Sequence, residues 1–143
     1  MYISKQTDYA MFLMAALAQQ KDGDDPLSLS GFAEAEELSF FFLQRIARKL
    51  RTAGLVRGVE GRNGGYCLKR PAAEITLGDI IRAMEGTLRV TDCATEGTVK
   101  KCPRYDRCRV QKTWCELKMH IAAFYDQLTL EDILSSEHKP ITL

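Results

Sequence analysis

Four of the five cysteines in this 143-residue chain fall within residues 92–115, DCATEGTVKKCPRYDRCRVQKTWC, a stretch too polar to bury them. Cys93, Cys102 and Cys108 are separated by eight and five residues in a loop that also carries Lys, Gly and Pro. Such flexible spacing lets thiolates wrap an inorganic core, and Lys100, Lys101, Arg104, Arg107 and Arg109 favour the thiolate by offsetting its charge. There is no Cys-x2-Cys pair, so a zinc ribbon and a thioredoxin-type redox site match poorly, and the ferredoxin spacing is absent too. Three cysteines in a loop suggest an iron-sulfur cluster with an unusual fourth ligand. Zinc or a reversible disulfide is the alternative chemistry, and a redox or electron-transfer protein that uses the same cysteines and binds no DNA is the alternative function. Cys115 lies seven residues after Cys108, about 10 Å along a straight helix. That is long for two ligands of one cluster unless Cys108 is still in the loop, and a small, inert hydrophobe is the competing role. Cys67 is expected to be packed and inactive, and His120 to lie on a helix surface.

The second feature able to do chemistry is charge. The formal net charge is only +1, yet residues 44–70 hold eight basic side chains (Arg45, Arg48, Lys49, Arg51, Arg57, Arg62, Lys69, Arg70) against the single acid Glu60. Residues 119–143 carry Lys139 against Asp126, Glu131, Asp132 and Glu137. Charge segregated in this way suggests a footprint for a polyanion. The plain alternative, a solvated helix face, loses weight where the charge coincides with a DNA-reading fold.

The elements that must position these groups follow from periodicity. A length of 143 residues with 45% hydrophobic and 27% charged residues fits one domain with an appended element. Ala10 to Ala18 imitates a signal-peptide core, but Asp8 directly precedes it, and Met11, Met14, Ala15 and Ala18 fall at helical spacing. The segment is therefore expected to be a core helix, running from a Thr7 cap to about Gln20, in a cytoplasmic protein with no membrane contact. LSLSGFAEAEELS reads as a short helix capped by Ser30 followed by a tight turn. Ser39 caps the next helix, where Phe42, Leu43, Ile46, Leu50 and Ala53 form an apolar stripe that Gly54 ends. LVRGVEGRNGGYCLK reads as a hairpin of Leu55–Val59 and Tyr66–Lys69 around a glycine-rich tip. Helix, turn, basic helix and hairpin make a winged helix-turn-helix.

On the exposed face of the basic helix, Gln44, Arg45 and Arg48 suit base contacts, while Lys49, Arg51 and Arg57 suit phosphates. Arg62 and Asn63 stand at the wing tip, with Arg62 reaching toward a minor groove. Ser39 and Phe41, at the start of the helix, complete the DNA-contact set; Phe40 and Phe41 could instead face a partner subunit or the turn. Thr76 and Asp79 open a further helix with a capping box that stops at Gly86, and Thr129 and Asp132 open a short closing one. Between them Val110, Trp114, Leu117, Ile121, Phe124 and Leu128 alternate steps of four and three, the spacing of a helix packed lengthwise on another. The partner for that seam is expected to be a second copy, giving a two-fold dimer that reads two half-sites.

KQTDYAMFLMAALA, then LRTAGLVRGVEGRNGGYCLKRPAAEITLGDIIRAMEG, three cysteines before a long helix, and LTLEDIL together resemble the Rrf-type family of bacterial regulators, the IscR-, NsrR- and RirA-like iron-sulfur proteins. The resemblance covers nearly the whole chain and is most specific at GRNGGY and the cysteine triad. It implies a mostly helical fold with a small hairpin wing: a winged helix-turn-helix over 1–86, a cluster loop over 87–108, and a dimerisation helix with a short closing helix over 109–143. It implies no enzyme but a homodimeric transcription factor, usually a repressor, whose cluster reports iron supply, oxygen, nitric oxide or redox state. Carried over by position, the cluster ligands are Cys93, Cys102 and Cys108, with 4Fe-4S favoured over 2Fe-2S. IscR-like members place a His three residues after the third cysteine, where this chain has Gln111, a poor iron ligand. NsrR-like members use an Asp at the start of the partner's first helix, which matches Asp8; a helix-dipole role explains the same residue without iron. Two places depart from the pattern: Glu37 stands where many helix-turn-helix turns have Gly, and Phe40 and Phe41 stand where smaller or polar residues are common.

Overall fold

A computed structural model of the chain describes residues 3–20, 25–87, 91 and 102–135. The first helix, α1 (Lys5–Ala18), is capped by Ser4, not Thr7: the Ser4 hydroxyl accepts from the Thr7 amide at 3.4 Å. Thr7 is instead buried in the first turn. The face that α1 turns inward is Ala10, Leu13, Met14 and Leu17, so only Met14 of the expected stripe is fully enclosed. The second helix, α2 (Leu29–Ala35), begins two residues earlier than expected because Ser28, not Ser30, accepts from the Gly31 amide.

The turn after α2 keeps helix-turn-helix geometry despite lacking glycine. Glu37 takes φ 53°, the left-handed conformation that an L-residue adopts at a steric cost. The third helix, α3 (Phe40–Thr52), is capped by Ser39, whose hydroxyl accepts from Phe42 N at 3.4 Å. Its buried stripe is Leu43, Ile46, Ala47 and Leu50. Ala53 is exposed because it follows the last helical residue, and Ala47, one turn from Leu43 and Leu50, takes the place expected for it.

The hairpin pairs β1 (Val56–Val59) with β2 (Gly65–Leu68), antiparallel, with Val56 opposite Leu68 and Val59 opposite Gly65. Leu27 adds an isolated bridge to β2, exchanging two backbone hydrogen bonds with Tyr66 at 2.9 and 3.0 Å. That approach requires Gly65, since a Cβ there would sit 2.2 Å from the Leu27 carbonyl oxygen. A single 3-10 turn (Ala72–Glu74) leads to α4 (Leu77–Glu85), and after the cysteine loop come α5 (Gln111–Gln127) and α6 (Leu130–Leu134).

Both α4 and α6 open with the capping boxes read from the sequence, in which each Thr hydroxyl and Asp carboxylate accept from each other's backbone N–H at 3.0 to 3.2 Å. The two boxes lie side by side. Thr76 and Thr129 form an isolated bridge, with Leu77 N donating to Leu128 O and Leu130 N to Ile75 O, both at 2.8 Å. One core joins α1, α2, α3, β1 and α4, and Leu130 of α6 is fully enclosed in it. The fold is thus mostly helical with a two-stranded wing, and no helix among the described residues is long and apolar enough to cross a membrane.

Candidate nucleic-acid interface and cysteine loop

Burial of Leu43, Ile46, Ala47 and Leu50 fixes the rotation of α3 about its axis and turns Phe41, Gln44, Arg45, Arg48 and Arg51 outward. Residues 41, 44, 45 and 48 follow the i, i+3, i+4, i+7 pattern of a single helix face. The exposed part of this face is polar and cationic apart from one ring, Phe41, which is 76% exposed. Phe42, by contrast, is half-buried and packs edge-on against Tyr9 at 5.4 Å. On the wing, Arg62 and Asn63 are exposed at the tip, where Gly64 N donates to Gly61 O at 3.0 Å, and Arg57 lies half-exposed on β1. A basic helix face beside a hairpin tip is a shape and charge suited to duplex DNA, with the helix at a groove and the wing on the backbone.

Lys49 is placed differently from its neighbours. Its ammonium donates to Gln6 Oε1 at 3.1 Å and to the Met84 carbonyl at 3.2 Å, at the C-terminal end of α4. Next to it the Glu85 carboxylate accepts from Ser4 N at 3.1 Å and from the Ser4 and Thr7 hydroxyls. These hydroxyl bonds, helped by the nearby Lys49 charge, hold the Glu85 carboxyl below the usual carboxylate range. The cluster ties the start of α1, which carries Asp8, to α4 and to α3. Sequence reasoning missed it: Glu85 gives no periodic or motif signal, and its partners lie some 80 residues away in the chain.

A second unforeseen joint holds α5 to the winged helix. Arg82 on α4 bridges Asp126 at 2.7 Å and Asp79 at 3.3 Å, and Arg70 reaches Asp79 at 3.4 Å. Burial opposes ionisation of Asp79, but the Thr76 amide, Arg82 and Arg70 outweigh it and lower its titration. Gly78 makes the approach possible, because a Cβ there would lie 2.1 Å from Asp126 Oδ1. Beside this joint a groove of about 480 Å³ runs between α4 and α5, lined by Ile81, Arg82, Lys118 and Tyr125 among others.

In the cysteine segment Cys93 lies outside the described residues. Cys102 and Cys108 flank a 3-10 turn (Tyr105–Arg107), closed by Tyr105 N to Cys102 O at 3.1 Å and Cys108 N to Tyr105 O at 3.3 Å. Both thiols are free and half-exposed, with Arg104, Arg107 and Arg109 exposed around them. Cys115, also half-exposed, sits one turn inside α5, while Cys67 is buried in β2, as the sequence suggested. Asp8 is exposed in the first turn of α1. Among the described residues no three His, Cys, Asp or Glu side chains converge within this one chain. Two cationically flanked thiols at the ends of one turn nevertheless form a donor pair suited to iron-sulfur chemistry.

The seam residues are displayed along α5 from end to end, with Val110 at its N-cap and Leu128 at its C-cap. Val110, Trp114 and Leu117 are exposed, and Ile121, Phe124 and Leu128 are half-buried; only Tyr125 of the seventeen helical residues is buried.

Three comparisons bear on this arrangement. A family model described as Rrf2, iron-dependent transcriptional regulator, matches residues 3–136. The transcriptional regulator IscR of Cereibacter sphaeroides is 32% identical over 98% of this chain and 91% of its own, and the repressor NsrR of Streptomyces coelicolor is 28% identical over 100% and 95%. The solved structure of CymR, the global cysteine regulator of Bacillus subtilis, superposes with a TM-score of 0.73 at 33% identity, covering 94% of this chain and 97% of that one.

Proposed function

Because this chain belongs to the Rrf2 family of iron-dependent transcriptional regulators, we propose that it is a homodimeric repressor whose hold on DNA is set by an iron-sulfur cluster. The observation that carries the DNA reading is the exposed face of α3, on which Gln44, Arg45 and Arg48 stand in phase above a buried stripe. Gln44, Arg45 and Arg48 serve as base readers, with Ser39 and Phe41 at the helix start. Arg57, Arg62 and Asn63 are the wing's contacts. Lys49 reaches a phosphate by exchanging its bonds to Gln6 and Met84, and so reports on the α1–α4 junction as well. A second copy covers Val110, Trp114, Leu117, Ile121, Phe124 and Leu128 and places two such faces on successive half-sites.

The cluster reading rests on Cys93, Cys102 and Cys108 with Asp8 of the partner subunit as fourth ligand, 4Fe-4S in preference to 2Fe-2S. Bound there, the group would supply a centre that iron supply, oxygen, nitric oxide or redox state can alter. A hard carboxylate among thiolates exchanges more readily than a fourth thiolate and leaves one labile corner. Asp8 sits two residues beyond Gln6, which holds Lys49, and four beyond Ser4, which holds Glu85. Freeing Asp8 therefore acts on the same first turn of α1 that braces the recognition helix, a local change able to bias DNA affinity.

A second reading keeps the DNA module and replaces the cluster by zinc or by a thiol–disulfide switch. It is favoured by the likeness to the global cysteine regulator and by three described thiols that are half-exposed and unpaired. Oxygen-free purification with iron and acid-labile sulfide counting decides between them: a coloured protein with both elements supports the cluster, and colourless, iron-free protein that still binds promoter duplexes supports the thiol or zinc reading. Affinity that falls steeply as salt rises checks the DNA part in either case.

A further inference from the structure

Three phenylalanines open the recognition helix, and the structure gives them three different fates. Phe42 packs against Tyr9. Phe40 is partly covered, and its ring meets that of Phe41 edge-on at 5.8 Å. Phe41 itself remains 76% exposed, the most exposed large apolar side chain among the described residues. It is not a stray: it lies in the first turn of α3 on the same face as Gln44, Arg45 and Arg48.

We propose that Phe41 reads thymine, its ring lying against the C5-methyl group of a thymine in the major groove of each half-site. The inference rests on the DNA reading above and extends it to one chemical feature of the sequence recognised. Residues at the N-terminal end of a recognition helix are those that reach base edges. Among the hydrogen-bonding groups on the major-groove edges of the four base pairs, the thymine methyl is the one protruding apolar group, where cytosine has only a C5–H. An uncovered ring in the midst of a polar, cationic reading face matches that methyl better than any other group on the groove floor. Gln44, one turn further along the face, carries the amide that pairs with the N6 and N7 edge of adenine. Phe41 and Gln44 together therefore favour positions rich in A·T pairs. The ring is also prepared for the task, since a Phe loses only two side-chain torsions on contact, and the adjacent Phe40 ring limits where it can move on one side.

The test uses the full-length protein and the duplex it enriches most strongly from a random-sequence library. Each thymine of that duplex is replaced singly by deoxyuridine, which deletes the methyl and preserves every hydrogen bond. At one thymine per half-site the replacement should weaken wild-type binding roughly four-fold, the worth of one buried methyl group. Phe41→Ala should bind the thymine duplex no better than wild type binds the uracil one, and should no longer distinguish the two. Phe41→Leu should retain part of the distinction. Because Phe41 is exposed, both variants should match wild type in thermal melting and in sedimentation. Equal binding of wild type to all singly substituted duplexes, or a Phe41→Ala protein that still discriminates, overturns the proposal while leaving DNA binding intact. A Phe41→Ala protein altered in dimer mass but not in discrimination assigns the ring to a protein contact and equally overturns it. Failure to enrich any duplex removes the DNA reading and this proposal together.

Discussion

The two long helices that carry the proposed functions are finished to different degrees by the chain itself. In α3, four of thirteen residues are buried, at the regular spacing that fixes which side chains face outward. In α5, one of seventeen is buried, and Trp114 and Leu117 stay 37% and 40% exposed. A helix whose apolar side is already covered can present polar groups as a rigid reading surface. A helix that leaves its apolar side uncovered keeps a surface free, the one proposed here to pair with a second copy. The same contrast separates the Thr76 and Thr129 capping boxes, each complete within the chain, from the cysteine loop, whose two described thiols are free and half-exposed. The helix face proposed to read DNA is thus built by one chain, and the proposed sensing and pairing surfaces would depend on what the chain binds.

That contrast can be broken most severely at the loop. Cys102→Ser or Cys108→Ser should abolish iron and labile sulfide in protein purified without oxygen while leaving the melting of the winged helix nearly unchanged, since neither thiol is buried. Asp8→Ala should alter the visible spectrum but retain much of the iron, and Cys115→Ser should do neither. The opposite pattern for the last two makes Cys115 the fourth ligand. Next in size is the seam. Trp114→Glu with Leu117→Glu places two charges in the proposed interface, where central aromatic and aliphatic anchors are worth upward of about 2 kcal/mol each. The dimer dissociation constant should rise by at least roughly a hundred-fold in sedimentation, with helical content retained. A variant that remains dimeric would move the interface off α5.

How far these features were legible in the sequence depends on how local their causes are. The Ser39 cap, the end of α3 at Gly54 and both capping boxes are set by residues within four positions of one another and were found where expected; the hairpin, whose pairs lie six to twelve residues apart, was found to within a residue at its strand ends. Ser4 and Thr7 are both hydroxyl residues preceding the same apolar run; tertiary structure decides between them, because Glu85 from α4 engages both and Thr7 is drawn inside. The left-handed turn at Glu37 carries no glycine to announce it. The Arg82–Asp126 pair spans 44 residues, and the need for Gly78 appears only once α5 is laid on α4. The cysteine spacing suggested a ligand loop, but Cys93 lies outside the described residues, and the fourth ligand proposed for the loop stands on a second chain.

The joint between the two regions offers a smaller, sharper test. Gly78→Ala drives a Cβ into Asp126 Oδ1, the end of a half-exposed side chain that can turn aside, so it should break the Arg82–Asp126 pair at a net cost of no more than ~1 kcal/mol, the alanine being the better helix former. In an Asp126→Ala background the same substitution should be neutral or stabilising, because the obstructing carboxylate is gone. If Gly78→Ala shifts the melting temperature equally in both backgrounds, α5 is not held to α4 in solution as it is here. On the reading face, Arg48→Ala should cost about 1–3 kcal/mol on the best duplex if the guanidinium reads a base, and should merely reduce the salt slope by about one if it meets a phosphate.

The smallest effect is acid sensitivity, and its sign follows from the two carboxylates that stitch the reading head together. Asp79, despite the opposing cost of burial, is held below its ordinary value of 3.8 by the Thr76 amide and two arginines. Glu85 is held below 4.5 by the Ser4 and Thr7 hydroxyls. Each therefore binds a proton more weakly in the folded chain than in the unfolded one. Their contribution is complete above those ordinary values and is lost as pH falls through the lower folded ones. Both groups are partly solvated, so the loss should amount to no more than ~1 kcal/mol at each site. Melting temperature should decline below pH 4.5, and Glu85→Gln with Asp79→Asn should lower stability at neutrality while flattening that decline. Because Glu85 braces the first turn of α1 and Asp79 the start of α4, a decline left unchanged in the double variant would show that neither joint carries weight in solution. The acid response would then have to come from the chain's other carboxylates.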